Sequence, residues 1–206
     1  MDLVVATRNA GKLAEVRAIL AIVPGLRVMD LAGAGIAYHP AEAAIEPHES
    51  FEENALSKAR FFHGLSGLST VADDSGLDVD ALGGEPGVRS KRFAPDAEVR
   101  GGNVDEANNR HLLRALAGVP PSQRGARFVC VAALVEPDRA PQVFRGEAPG
   151  LILDAPRGRT GFGYDPLFLD RELGKTFAEL SPDEKNTRSH RGRAFRALAE
   201  SLIRRS

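Results

Sequence analysis

Val71-Ala-Asp-Asp-Ser-Gly-Leu-Asp-Val-Asp-Ala-Leu-Gly-Gly-Glu-Pro-Gly87 is the stretch on which the reading of this chain turns. Thr70 to Ala72 has the character of a buried strand end. It delivers two adjacent carboxylates, Asp73 and Asp74, then the hydroxyl of Ser75 and the permissive Gly76. Carboxylates at a strand tip are unfavourable unless something positive meets them. A cation, a basic side chain or water supplies that charge. Asp78 and Asp80 read as solvated turn or loop-capping residues. Gly83-Gly84 and Pro86-Gly87 are turn signals. An ordinary strand-to-turn junction would also account for the acidic pair.

Working outward, strand and helix patterns alternate. Leu3 to Ala6 is a short apolar run, followed by Leu13, Val16, Ile19 and Leu20 at helical spacing. Pro24-Gly25 closes that helix, and Arg27 to Leu31 reads as a strand. Residues 32–49 read as a loop containing Pro40 and Pro47. Ser50 and Glu53 have capping-box spacing, and Phe51, Ala55, Ala59 and Phe62 give the next helix an apolar side. A helix is predicted over 105–116. Strands are predicted over 126–135, 142–147 and 151–153, the first two paired antiparallel. Gly158 to Gly163 reads as loop. Ser181-Pro182 opens a short helix, and Phe195, Leu198, Leu202 and Ile203 line the last one. The pattern is an α/β fold with a mixed sheet, in a single domain over 1–206.

Composition removes several function classes. The net charge of −1 gives no global field toward nucleic acid or membrane. The single cysteine, Cys130, lies in an apolar run and reads as a buried small hydrophobe. One cysteine cannot form an internal disulfide, which fits a reducing cytoplasm. The N-terminus shows no basic n-region or long apolar segment, so neither signal peptide nor membrane span is expected.

Five groups of residues carry chemical potential. Thr7-Arg8-Asn9-Ala10-Gly11-Lys12 joins a strand to a helix, where unpaired amides and the helix dipole attract phosphate. Walker A spacing is absent, and a capped helix with a surface lysine is the alternative. The acidic set of Glu46, Asp73 and Asp74 suits magnesium, which takes one or two carboxylates and completes its shell with water and phosphate oxygens. Asp74 is the leading ligand. Asn54, Lys58 and Arg60 lie on the second helix, where Lys58 follows Asn54 by one turn; from spacing alone they read as an ordinary solvated helix face. In Thr160-Gly-Phe-Gly-Tyr-Asp-Pro-Leu-Phe168, Phe162 and Tyr164 could stack on a base, and Asp165 could hold its edge or a neighbouring arginine. A turn with core aromatics is the alternative. The basic run 184–193 holds Lys185, His190 and Arg191, and alone would be a solvated face or a nucleic-acid patch.

Taken in this order, the pieces resemble the inosine triphosphate pyrophosphatase family. The matching motifs are Thr7-x-Asn9-x-x-Lys12, Ser50-Phe51-x-Glu53-Asn54-Ala55-x-x-Lys58-Ala59, Ala72-Asp73-Asp74-Ser75-Gly76-Leu77, Gly84-x-Pro86-Gly87, Phe162-Gly163-Tyr164-Asp165-Pro166 and Glu184-Lys185-x-x-x-Ser189-His190-Arg191. They extend from residue 7 to residue 191. The resemblance implies an elongated, two-lobed α/β fold, with a long central mixed β-sheet flanked by helices and an active-site cleft between lobes. It implies a homodimer, a Mg2+ requirement, and hydrolysis of ITP, dITP and XTP to the monophosphate and pyrophosphate. By the same resemblance, residues 7–12 hold the triphosphate, with Arg8 standing where many relatives have glycine. Asp74 is the catalytic residue and, with Glu46, a metal ligand. Lys58 and Ser75 contact phosphate or sugar. Phe162, Gly163, Tyr164, Asp165, Lys185, His190 and Arg191 form the base pocket. His48 and Lys91 also depart from the family pattern, where glycine and alanine are common.

Two other classes compete with this reading. A nucleotide-binding module would share the phosphate turn and tolerate loss of Asp74. A nucleic-acid binder would use the 185–193 run with Phe162 and Tyr164, and the near-neutral charge counts against it. The residues leave open which phosphorus is attacked, and whether Asp73 or Asp74 takes the proton.

Overall fold

The computed structural model describes residues 1–205. β1 (Asp2–Val5) runs into a turn and α1 (Ala10–Leu20), then β2 (Arg27–Met29). The predicted 32–49 loop contains a 3-10 turn over Pro40–Ala44. α2 (Phe51–Ser66) starts at Ser50, whose Oγ accepts the Glu53 amide at 3.2 Å, and ends at Gly67 in the left-handed region. Such a cap contributes about 1 kcal/mol. β3 (Ser69–Val79), β4 (Pro86–Gly87), α3 (Asp96–Val99) and α4 (Val104–Ala115) follow. The chain continues through β5 (Gly125–Val135), β6 (Gln142–Ile152), β7 (Phe168–Asp170) and β8 (Lys175–Thr176) to α5 (Pro182–Arg188) and α6 (His190–Ile203).

The strands form one mixed sheet in the order β2-β1-β3-β5-β6-β7-β8, with β4 paired to β3. β1 pairs in parallel with β2 and with β3, placing Val4 opposite Met29 and Thr70. The pairs β3–β4, β6–β7 and β7–β8 are antiparallel. Among the described residues, no helix is long and apolar enough to cross a membrane.

Two sequence expectations need correcting. The strand expected to end near Ala72, at a strand-to-turn junction, continues to Val79, so both acidic residues lie inside it. Lys12 and the buried Arg191 meet Asp73, so the ladder has no need to break there. The strands expected over 142–147 and 151–153 are one, passing through Pro149 and Gly150. At Gly150 a Cβ would lie 2.5 Å from the Leu169 carbonyl oxygen, so glycine admits the close approach of β7.

The chain forms two compact units. One comprises residues 1–74, 130–146 and those from 186 onward; the other comprises 75–129 and 147–185. In the first, Leu3, Val5, Val71 and Leu134 of the strands meet Val16 and Leu20 of α1 and Phe195 and Leu198 of α6. Fully burying each such side chain contributes about 1.5–3 kcal/mol. Gly146 of β6 lies against the first turn of α6, where a Cβ would fall 2.2 Å from the His190 carbonyl oxygen and 2.6 Å from the Ala194 nitrogen. In the second unit, Phe128, Phe168 and Phe177 form a ring cluster with centroids 4.5 to 5.7 Å apart. Leu77, Leu112 and Leu116 pack around it.

Candidate active site

β1 ends at Val5 and α1 begins at Ala10, so residues 6–9 make the connecting turn. The Asn9 amide donates to Thr7 Oγ1 at 3.1 Å, and the Lys12 amide donates to Asn9 Oδ1 at 3.0 Å. Thr7 and Asn9 thus fold and cap the turn. The first-turn amides of Ala10 and Gly11 are of the kind that a helix start leaves without intrahelical acceptors. Lys12 Nζ donates to Asp73 Oδ2 at 2.9 Å. The Arg8 guanidinium donates to Glu42 and to the carbonyls of Ile36 and Ala37.

Asp73 and Asp74 stand on opposite faces of β3 because successive strand side chains alternate. Asp73 is 2% exposed. Its Oδ2 accepts from Lys12 and from Nε and Nη2 of Arg191, both at 3.4 Å. The Cys130 thiol lies 3.9 Å from the same oxygen, and burial with the adjoining carboxylate pushes that thiol far up. Burial by itself would raise the Asp73 pKa. The charges of Lys12 and Arg191 outweigh it and hold the carboxyl far below its ordinary range. Arg191 Nη1 also donates to Glu15 at 2.6 Å.

Asp74 sits in a different field. Burial raises its pKa, helped by the nearby Glu46 charge and opposed by Lys58 and Lys12. Asn54 Nδ2 donates to Asp74 Oδ2 at 3.1 Å and to the His48 carbonyl at 3.0 Å, while Asn54 Oδ1 accepts the His48 amide at 2.9 Å. Lys58 is paired with Glu46. Burial disfavours the Lys58 ammonium, and the carboxylates of Glu46, Asp73 and Asp74 more than restore it. α2 therefore presents Asn54 and Lys58, one turn apart, to the two candidate metal ligands. Arg60 of the same helix is exposed.

His190, 4% exposed, opens α6 in the first unit, and the second unit holds the other residues in two groups. Ser75 follows Asp74 on β3. Asp165 is 3% exposed, and its Oδ2 accepts Lys185 Nζ at 2.6 Å and the Phe162 amide at 2.9 Å. Lys185 Nζ also lies 4.6 Å from the Phe162 ring centroid, in cation–π range. Gly161 has φ +79°, and a Cβ there would lie 2.2 Å from Asp165 Oδ2, so this turn requires glycine. Gly163 is gripped from both sides by α4: its amide donates to Asp105 Oδ2 at 2.8 Å, and its carbonyl accepts Asn109 Nδ2 at 2.9 Å. The reading of Tyr164 as a stacking ring is corrected. Tyr164 is 4% exposed in the core of this unit, and its hydroxyl donates to the Ser90 carbonyl at 2.8 Å. Phe162 is the half-buried ring of the two.

The family model described as the Ham1 family matches residues 3–201. This chain belongs to the Ham1 family. A dITP/XTP pyrophosphatase of Frankia alni is 50% identical over 202 residues, covering 98% of this chain and 97% of its own length. A protein of the same description from Geobacter sulfurreducens is 49% identical, with 97% and 96% covered. Among solved structures, a HAM1 protein from Coxiella burnetii superposes with TM-score 0.84 at 37% identity, covering 99% of each chain. A nucleoside-triphosphatase / dITP/XTP pyrophosphatase from Mycobacterium abscessus gives 0.72 at 44% identity, covering 96% and 98%.

Among the described residues of this Ham1 chain, no group of three or more His, Cys, Asp and Glu side chains gathers to hold a metal. Magnesium does not need one: it accepts one or two carboxylates and fills its shell with water and phosphate. Glu46 and Asp74 fit that donor set, being hard oxygen ligands that both lie in the field of Lys58. The sequence marks Asn54 by its place one turn before Lys58 but assigns it no role, which the structure supplies through its contact with Asp74. Asp105, Asn109, Glu15 and Glu42 carried no signal, because carboxylates and amides on helices usually face water.

Proposed function

We propose that this nucleoside triphosphate pyrophosphatase hydrolyses deaminated purine nucleoside triphosphates, ITP, dITP and XTP, to the monophosphate and pyrophosphate, with Mg2+ as cofactor. The observation that carries the reading is the contrast between two adjacent carboxyls. Asp73 is held as an anion by Lys12 and the buried Arg191, whereas Asp74 has a raised pKa. A raised pKa suits a general base, and a locked anion does not. Asp74 therefore orients the attacking water and accepts its proton, with Asn54 fixing the carboxylate. The names of the related proteins support the substrate class.

The amides of Ala10 and Gly11 and the Lys12 ammonium receive the triphosphate at the start of α1. Lys58 adds a second positive charge, and Ser75 a hydroxyl for phosphate or sugar. Magnesium held by Glu46 and Asp74 would neutralise phosphate charge as the anhydride breaks. On the base side, Phe162 offers a stacking face and Lys185 is the candidate donor, whereas the Arg191 guanidinium is already committed to Asp73 and Glu15. Hypoxanthine and xanthine present a 6-oxo acceptor where adenine presents an amino donor, so donors at that edge reject adenine. The lone buried Cys130 agrees with action in the cytoplasm, and the resemblance supports a homodimer, which sedimentation velocity would reveal.

The test is pyrophosphate release from ITP, dITP, XTP, ATP and GTP, with and without Mg2+, for wild type and Asp74→Asn. Preference for the deaminated purines, lost on chelation and in the variant, is the expected result. Equal rates in the two proteins would remove Asp74 from the mechanism.

A further inference from the structure

The turn that would receive the triphosphate carries an arginine whose guanidinium is engaged at all three nitrogens. Arg8 Nε donates to Glu42 Oε2 at 3.0 Å, and Nη2 to Glu42 Oε1 at 2.7 Å, a bidentate fork. Nη1 donates to the Ile36 carbonyl at 3.3 Å, and Nη2 also reaches the carbonyls of Ile36 and Ala37 at 3.3 and 3.1 Å. Bidentate arginine–carboxylate pairs are both stronger and more directional than single contacts.

Glu42 is itself built into the segment it anchors. Its carboxylate accepts the His39 amide at 3.0 Å and closes a capping box on the Pro40–Ala44 turn. The Glu42 side chain is only 8% exposed. Four residues on stands Glu46, paired with Lys58, and then His48, held at amide and carbonyl by Asn54. The segment from residue 36 to residue 48 is thus pinned at one end by Arg8 and at the other by α2.

We infer that Arg8 is a positioning residue: it fastens the 36–46 segment to the phosphate-binding turn and thereby sets where the Glu46 carboxylate stands. This rests on the function proposed above for Glu46. It assigns the guanidinium a task other than meeting phosphate, and it makes Glu42 the second half of the device. A lysine at position 8 would keep the charge and lose the planar fork.

The experiment compares Arg8→Ala, Arg8→Lys, Glu42→Gln and the Arg8→Ala/Glu42→Gln pair with wild type. One arm measures amide hydrogen exchange across residues 36–46 in the ligand-free chain. The other measures ITP hydrolysis against magnesium concentration. Fastening predicts faster exchange in Arg8→Ala and in Glu42→Gln, and a magnesium requirement raised about five- to tenfold in each, with KM for ITP at saturating magnesium within about twofold. Arg8→Lys recovers part of the effect, and the double variant is no worse than either single one, as for two halves of one contact. The inference is overturned if Arg8→Ala raises KM for ITP at saturating magnesium about tenfold while Glu42→Gln changes neither KM nor exchange. If wild type releases no pyrophosphate, the proposed function fails and the exchange arm decides alone. Unchanged exchange in both single variants then overturns the fastening, and faster exchange supports it.

Discussion

Asp73 and Asp74 are consecutive residues of β3 whose carboxyls are driven in opposite directions, one far below the ordinary range and the other above it. The alternation of a strand is enough to separate them. One face meets the buried Arg191 guanidinium and Lys12; the other meets Asn54 and the edge of the Lys58–Glu46 pair. Two identical side chains thereby acquire two chemical characters without any intervening residue.

Asp74→Asn should lower turnover by about 10²–10⁴, the usual range for loss of a general base. The same change should stabilise the fold by about 0.5–1 kcal/mol. A carboxyl with a native pKa above its unfolded value binds protons more readily when folded, so its contribution to stability falls as pH rises through that window. The neutral amide escapes this penalty. The wild-type rate should also fall with acid along a limb set by Asp74, and Mg2+ bound at that carboxylate should move the limb to lower pH. Paired pH–rate profiles and thermal melts check both halves.

Asp73→Asn should behave as a folding lesion. It leaves Arg191, 1% exposed, facing an amide, and a broken buried ion pair typically costs about 3–5 kcal/mol. Because the Asp73 pKa is depressed on folding, its stabilisation is complete above about pH 4 and lost as pH falls toward the native value. Urea unfolding at pH 7 and at pH 3 should show a large gap between variant and wild type at the higher pH and a smaller one at the lower.

Asn54→Ala should lower kcat and apparent magnesium affinity together, by about 10–100-fold, with little change in secondary structure. Its amide group holds Asp74 and both backbone polar groups of His48. Steady-state kinetics at several magnesium concentrations, alongside circular dichroism, would expose any purely structural effect.

Asn109→Ala and Asp105→Asn should loosen the 160–165 turn by releasing Gly163. With Phe162 as a base platform, KM for ITP should rise about tenfold in either variant while kcat changes less than about threefold. A parallel loss in kcat would place the turn at the reacting atoms instead.

Much of this could be read from the chain itself. Apolar periodicity gave α1, α2 and α6, and Ser50 caps α2 through the Glu53 amide as its spacing predicts, although the Glu53 carboxylate accepts the Ser50 hydroxyl and not the backbone N–H of a full capping box. The reach of β3 was underestimated, because a carboxylate pair looks like a strand terminus unless its buried partners are known. Those partners, Lys12 and Arg191, lie 61 and 118 residues away in the chain. β7 and β8 are too short to show a period. Tyr164 reads as a ligand platform because it follows the Gly161-Phe162-Gly163 turn, yet its hydroxyl finds a carbonyl inside the core.

Gly146 has no functional group, yet it lies against the turn from which His190 and Arg191 arise. Any larger side chain must lever that turn outward, carrying the guanidinium off its carboxylate. Genetic screens for inactive alleles should therefore recover this inert position as readily as the charged ones, and directed evolution should find it closed to exchange.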